Sequence, residues 1–172
     1  MKIMSTAVDN GYLKAEYGIN TPEKDRVLYG IPQRSFPICW SDVPQNTKSF
    51  ALVCIDYDNV EDEGVTWIHW LVSDIAGECR GMDDDEAVKG NLVQGRTSWA
   101  LPYGPYEEIP DSIIASYGGP APDRTHEYEI EIFALDIIPN LENGFYYNKL
   151  RKIINEHTIE KAILKFYYKG AE

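Results

Sequence analysis

The chain carries three histidines, and two of them, His69 and His126, fall inside runs of apolar residues rather than in polar loops. An imidazole placed there must find a hydrogen-bond partner or line a cavity, because an unpaired polar group is costly once removed from water. Asp56 lies near the end of the run SFALVCIDYD (49–58). In an extended chain Phe50, Leu52, Cys54 and Asp56 share one face, so a carboxylate caps an apolar stripe at a strand end. Tyr128 shares a face with His126, and Gly118, Gly119 and Pro120 lie six to eight residues before that histidine. Those glycines could present backbone N–H groups or allow close approach of a ligand. Two imidazoles and a phenol can donate to anionic oxygens, while Asp56 can orient one histidine and favour its cationic form. On this reading anion affinity rises as pH falls through the histidine range.

Each of these residues also has an ordinary structural explanation. A lone histidine on an apolar face is more often a hydrogen-bonded core residue, and a strand-end aspartate more often satisfies a turn. Asp56, His69 and His126 together could also hold iron or zinc or act as acid–base catalysts, which keeps an enzyme as the alternative. No Gly-x-Ser-x-Gly elbow, P-loop, dinucleotide fingerprint or His-Glu-x-x-His occurs, so no catalytic residue, metal ligand or cofactor is assigned and a binding module is favoured. Tyr103, Tyr106 and Tyr117 are candidates for a ligand-gripping rim, with ordinary packing as the competing explanation.

These residues need a scaffold that brings three separate stretches together. The run 49–58 reads as a strand covered on both faces, and VTWIHWLVSDI (65–75) has the same character. Trp67 and Trp70 are expected on opposite faces of the latter strand, so at most one faces a pocket while the other fills core. In THEYEIEIFALDI (125–137) Glu127, Glu129 and Glu131 alternate with His126, Tyr128, Ile130 and Ile132, the pattern of a half-buried strand with His126 turned inward. Leu150, Ile153 and Ile154 recur at helical spacing, giving a short amphipathic helix from about Phe145 to His157, followed by a last strand at 161–169. The chain from Gly81 to Pro122 is loop-rich, and connections of that length tend to be functional. No repeat or linker-like break is visible, so a single domain over 1–172 is expected.

The formal charge of −12 argues against duplex nucleic acid and an anionic membrane surface as partners. The acids cluster in Asp58, Glu61, Asp62 and Glu63 and again in Asp83, Asp84, Asp85 and Glu86, and such runs are usually solvated loops. Calcium is a weaker reading of them, because the EF-hand glycine and terminal glutamate are missing. Three cysteines without paired spacing predict free thiols in a reducing compartment. With no apolar run of signal-peptide or membrane-span length, the expectation is a soluble, cytoplasmic protein.

Taken in order and spacing, the segments resemble the phosphatidylethanolamine-binding protein family, in particular its bacterial, Raf kinase inhibitor-like branch. That family carries an Asp-Pro-Asp-Ala-Pro box, a Trp-x-His strand and a Gly-Pro-x-Pro loop leading into His-Arg-Tyr. This chain offers DYDNV (56–60), WIHW (67–70), YGGPAP (117–122) and HEY (126–128), together with SFPICWSDVP (35–44) and FALD (133–136). The resemblance spans nearly the whole chain. It implies a mainly β fold, a sandwich of antiparallel sheets with a few peripheral helices. It also implies an anion pocket of Asp56, His69, His126 and Tyr128, with Gly119 and Pro120 on its rim and Trp67 and Asp58 nearby. The implied partners are a small anion or phosphorylated head group, a kinase or protease in a regulatory role, and a second copy in a homodimer. Four features depart from the family pattern: Tyr57 and Val60 replace both box prolines, Asp123 stands in place of another, Glu127 replaces arginine, and residues 100–116 look like an insertion.

Overall fold

In the computed structural model, which describes residues 1–101 and 109–170, the apolar runs and alternating segments become the strands of two sheets. In chain order the elements are β1 (Lys2–Met4), β2 (Val8–Asp9), β3 (Tyr12–Leu13), β4 (Ile38–Ser41), β5 (Ser49–Asp56), α1 (Asn59–Glu63) and β6 (Trp67–Ala76). They continue with β7 (Gly81–Met82), α2 (Glu86–Lys89), β8 (Val93–Gln94), α3 (Asp111–Ile114), β9 (His126–Leu135), α4 (Tyr147–His157) and β10 (Thr158–Tyr168). Seven strands form one sheet in the order β2-β3-β10-β9-β5-β6-β8, and β1-β4-β7 form a second. The ladders are antiparallel except where β3 meets β10 at Tyr12 and Tyr167.

All eight residues of β5 are buried, as its unbroken apolar run requires. Its two faces feed separate cores. Phe50, Leu52 and Cys54 pack with Trp70, Val72, Ile130 and Ile132 against Ile38 and Trp40 of the smaller sheet. Ala51, Val53 and Ile55 pack with Leu71, Phe133 and Leu135 beneath Leu150 and Ile154 of α4. Each such side chain contributes about 1.5–3 kcal/mol on burial. The outer face of β9 is half-buried at Glu127, Glu129 and Glu131, then buried at Phe133 and Leu135. The three glutamates are matched on β10, where Lys165 Nζ meets Glu127 at 3.0 Å and Glu129 at 2.6 Å, and Lys161 meets Glu131 at 2.7 Å.

The regular alternation expected of β6 fails at two places, and the one nearer the Asp56 end is at His69. Trp70 pairs with Cys54 and Trp67 with Asp56, but Ile68 pairs with Ile55, leaving His69 as an extra residue in the strand. This bulge brings Trp67 and Trp70 to the same face instead of opposite faces, because inserting one residue restarts the period-two pattern. Trp70 is fully buried in the inner core, as the separation of roles anticipated, while Trp67 is only half-buried at the strand's beginning.

Tyr117 is another correction. Its side chain is buried, its ring packs edge-on against Phe36 and Trp70, and its hydroxyl donates to the Tyr17 carbonyl at 3.0 Å, so it is core rather than rim. Tyr103 and Tyr106 lie outside the described residues. The acidic stretch expected to be a loop contains α1, and the 81–122 region holds five short elements among its described residues, one of them a 3-10 turn at Ser98–Ala100.

Candidate functional site

At the Asp56 end of β5, the inner face opens into a cavity of about 270 Å³. Cross-strand pairing puts Asp56 opposite both Tyr128 and Trp67, which joins three strands at one point. Asp56, Trp67, His69, Gly119, His126 and Tyr128 all border the cavity. So do Asn59 and Glu63 from α1, Trp99, and Ala121 and Pro122 from the loop before β9. Trp67 and Trp99 meet edge to face at 5.3 Å between centroids, forming an apolar part of the wall. The cavity's carboxylates are Asp56 and Glu63, and among the described residues no lysine or arginine lines it.

The ring of Tyr128 sits between the two histidines, 5.2 Å from His69 and 6.3 Å from His126, and stacks on Phe166 at an interplanar angle of 9°. Burial, followed by the Asp56 carboxylate beside it, raises the Tyr128 pKa and keeps the phenol protonated.

His69 is held by the loop across from it. Its Nδ1 donates to the Gly118 carbonyl at 2.6 Å, and the Gly118 N–H returns a bond to the His69 carbonyl at 2.9 Å. Gly118 is required by space: an added Cβ would stand 2.6 Å from the Trp99 indole nitrogen. Burial is the largest influence on His69 and lowers its pKa from 6.5, against the opposing pull of the Gly118 carbonyl and Asp56. A neutral ring with its hydrogen on Nδ1 leaves Nε2 as a bare acceptor. That atom is shielded from solvent and has no hydrogen-bond partner among the described residues.

His126 is engaged at both nitrogens. Nδ1 meets Asp56 Oδ2 at 2.7 Å, and Nε2 meets Asp62 Oδ2 at 2.6 Å. Both ring nitrogens are thereby occupied by carboxylates. Asp56 has a further duty, since its Oδ1 accepts the Asn59 N–H at 3.1 Å and fixes the start of α1. Asp62 is supported by Arg124, whose Nε donates to Asp62 Oδ1 at 3.1 Å while Nη2 reaches Glu61 and the Asp58 carbonyl. The Arg124 guanidinium is the main reason the Asp62 pKa is lowered, with the His126 hydrogen bond adding to it.

The donors expected to face an anion are therefore committed inside the protein: His69 to a carbonyl and His126 to two acids. The glycine N–H groups are committed too, with Gly118 N bonded to His69 and Gly119 N to the Pro32 carbonyl at 2.7 Å. Gly119 borders the cavity, but Pro120 turns its carbonyl to the Ile19 N–H at 2.7 Å and Ala121 and Pro122 supply the rim in its place. Asp58 is off the wall, its carboxylate accepting the Glu127 N–H at 2.8 Å where β9 begins. Sequence reasoning missed Asn59, Asp62, Glu63 and Arg124. The only hint was an aspartate two residues before glycine in an acid-rich stretch, which does not reveal a partner 64 residues away. Among the described residues no three histidine, cysteine or carboxylate side chains are gathered so as to hold a metal ion.

A two-sheet β protein with a cavity at the strand ends, walled by indoles and floored by histidines and acids, is built to hold a small ligand. The chain belongs to the phosphatidylethanolamine-binding protein family, whose model matches residues 4–169. It is 33% identical over 159 residues to the uncharacterized protein YxkA of Bacillus subtilis strain 168, covering 91% of this chain and 93% of that one. Its fold matches the crystal structure of CT736 from Chlamydia trachomatis, described as a homolog of phosphatidylethanolamine-binding protein. The TM-score there is 0.74 at 26% identity, over 98% of this chain and 96% of that one. Escherichia coli YbcL, at 22% identity and a TM-score of 0.74 over 98% and 97% of the two chains, shares the fold. Family membership points to a ligand-binding, regulatory protein. Among the described residues no helix is long and apolar enough to cross a membrane.

Proposed function

We propose that the cavity between His69 and His126 binds a small oxyanion that still carries a hydrogen, with a phosphate or phosphate monoester as the representative ligand. The observation that carries this reading is the buried, unpartnered Nε2 of His69, a residue that borders the cavity. A buried acceptor without a donor costs about 1–3 kcal/mol, and a ligand hydroxyl placed against it recovers that loss. Hydrogen phosphate brings such a hydroxyl together with anionic oxygens able to accept an N–H of the His126 ring. The indole pair of Trp67 and Trp99 then offers an apolar surface to whatever group the phosphate carries.

Isothermal calorimetry with inorganic phosphate and with phosphoethanolamine tests the reading. Phosphate binding is expected to weaken roughly tenfold in His69→Asn, a change that keeps a donor for the Gly118 carbonyl but removes Nε2. Sulfate, which carries no hydrogen at neutral pH, is expected to bind more weakly than phosphate to the unaltered protein. Absence of phosphate binding, or affinity unchanged by His69→Asn, would overturn the proposal.

A further inference from the structure

His126 borders the cavity, and a carboxylate of the protein already sits on its outer nitrogen. His126 is buried and borders the cavity, yet its Nε2 faces Asp62 at 2.6 Å. A ligand oxygen cannot receive that N–H while the Asp62 carboxylate holds it. From this geometry we infer that Asp62 is an internal competitor for the ligand anion, keeping the His126 position closed until an incoming oxyanion displaces it. The inference rests on the oxyanion reading above and adds a residue and a movement that the reading alone does not require.

Three observations favour a displaceable contact over a permanent one. The Asp62 side chain is 36% exposed, against 4% for Asp56 on the other nitrogen of the same ring, so only the Asp62 carboxylate can turn into solvent without being desolvated elsewhere. Asp62 also has a second partner outside the cavity, Arg124 Nε at 3.1 Å, which can keep hold of it after it leaves His126. Arg124 is in turn held by Glu61 and the Asp58 carbonyl, and α1 is fixed at its start by Asp56, so the helix need not unfold when the contact breaks.

The contact gives the site a threshold. An internal carboxylate has no translational entropy to lose on contacting His126, whereas a free anion does. A lone carboxylate such as acetate offers the same single charge as Asp62 and gains little by replacing it. A phosphate offers more oxygens, up to two charges and the hydrogen that His69 lacks. The displaced Asp62 carboxylate remains close enough to repel the ligand, which keeps affinity low even after opening.

Calorimetry and amide NMR on the full chain test this, using inorganic phosphate on the unaltered protein, Asp62→Asn and Asp62→Ala. Thermal melts establish that the variants fold. Both variants are expected to bind phosphate about tenfold more tightly, and acetate, undetectable with the unaltered protein, is expected to bind them measurably. In the unaltered protein, phosphate is expected to shift the amide signals of residues 59–63. Equal or weaker phosphate binding in both variants, with no movement of those signals, would overturn the role of Asp62 while leaving the oxyanion reading in place. Failure of phosphate to bind any of the three proteins would overturn both.

Discussion

The two buried histidines stand on either side of one tyrosine ring and have opposite electrostatic surroundings. His69 occupies a strand bulge, answers to a single backbone carbonyl, and is held neutral by burial. His126 opens a regular strand, lies between two carboxylates, and has no free nitrogen. The difference shows that residue type alone does not decide what an imidazole offers a ligand. Backbone neighbours make one ring an acceptor, and acidic side chains occupy both nitrogens of the other.

Removing the acid beneath His126 should break this contrast most severely. Asp56→Ala strips a buried partner from the ring and the anchor from α1, and a loss of about 3 kcal/mol in unfolding free energy is expected from urea denaturation. On the other side, Gly118→Ala forces a methyl group against Trp99 and disturbs the clamp on His69. About 2 kcal/mol of destabilisation is expected there by the same method, with the His126 side intact. A smaller effect, near 1 kcal/mol or less, is expected for Tyr128→Phe, which deletes the phenolic hydroxyl beside Asp56 but preserves the stack on Phe166.

A pH series sharpens the comparison with the least disturbance. The folded pKa of His69 lies below its unfolded value of 6.5, so the unfolded chain takes up the proton first. The stabilising contribution of neutral His69 is therefore complete above about pH 6.5 and declines as pH falls from there toward the folded pKa. The stability difference between the unaltered protein and His69→Asn should shrink correspondingly in denaturation curves collected across that interval. A difference that stays constant would mean that burial does not control this ring.

Much of the scaffold is visible in the chain because it follows periodicity. The eight-residue apolar run of β5 and the glutamate alternation of β9 depend only on which faces are covered, so the strands and the inward turn of His126 can be read directly. The bulge at His69 cannot be, because one added residue leaves an apolar run looking continuous while reversing the faces on either side of it. The convergence of Asp56, His69, His126 and Tyr128 was legible through spacing and family resemblance, but their hydrogen-bond states were not. Those states are set by Gly118 and Asp62, which are 49 and 64 residues from the histidines they contact. Tyr117 misled because a tyrosine in a glycine-rich stretch resembles a surface aromatic until Phe36 and Trp70 close around it.

The row of acids along α1 has a kinetic consequence as well. Asp58, Glu61, Asp62 and Glu63 extend the negative field of a chain already at −12 to the approach of the cavity, and Arg124 offsets only part of it. A dianion diffusing toward this opening meets a repulsive potential before it touches any wall. Raising the ionic strength shortens the reach of that potential, so phosphate should associate faster in moderate salt than in dilute buffer, the reverse of the acceleration usual for oppositely charged partners.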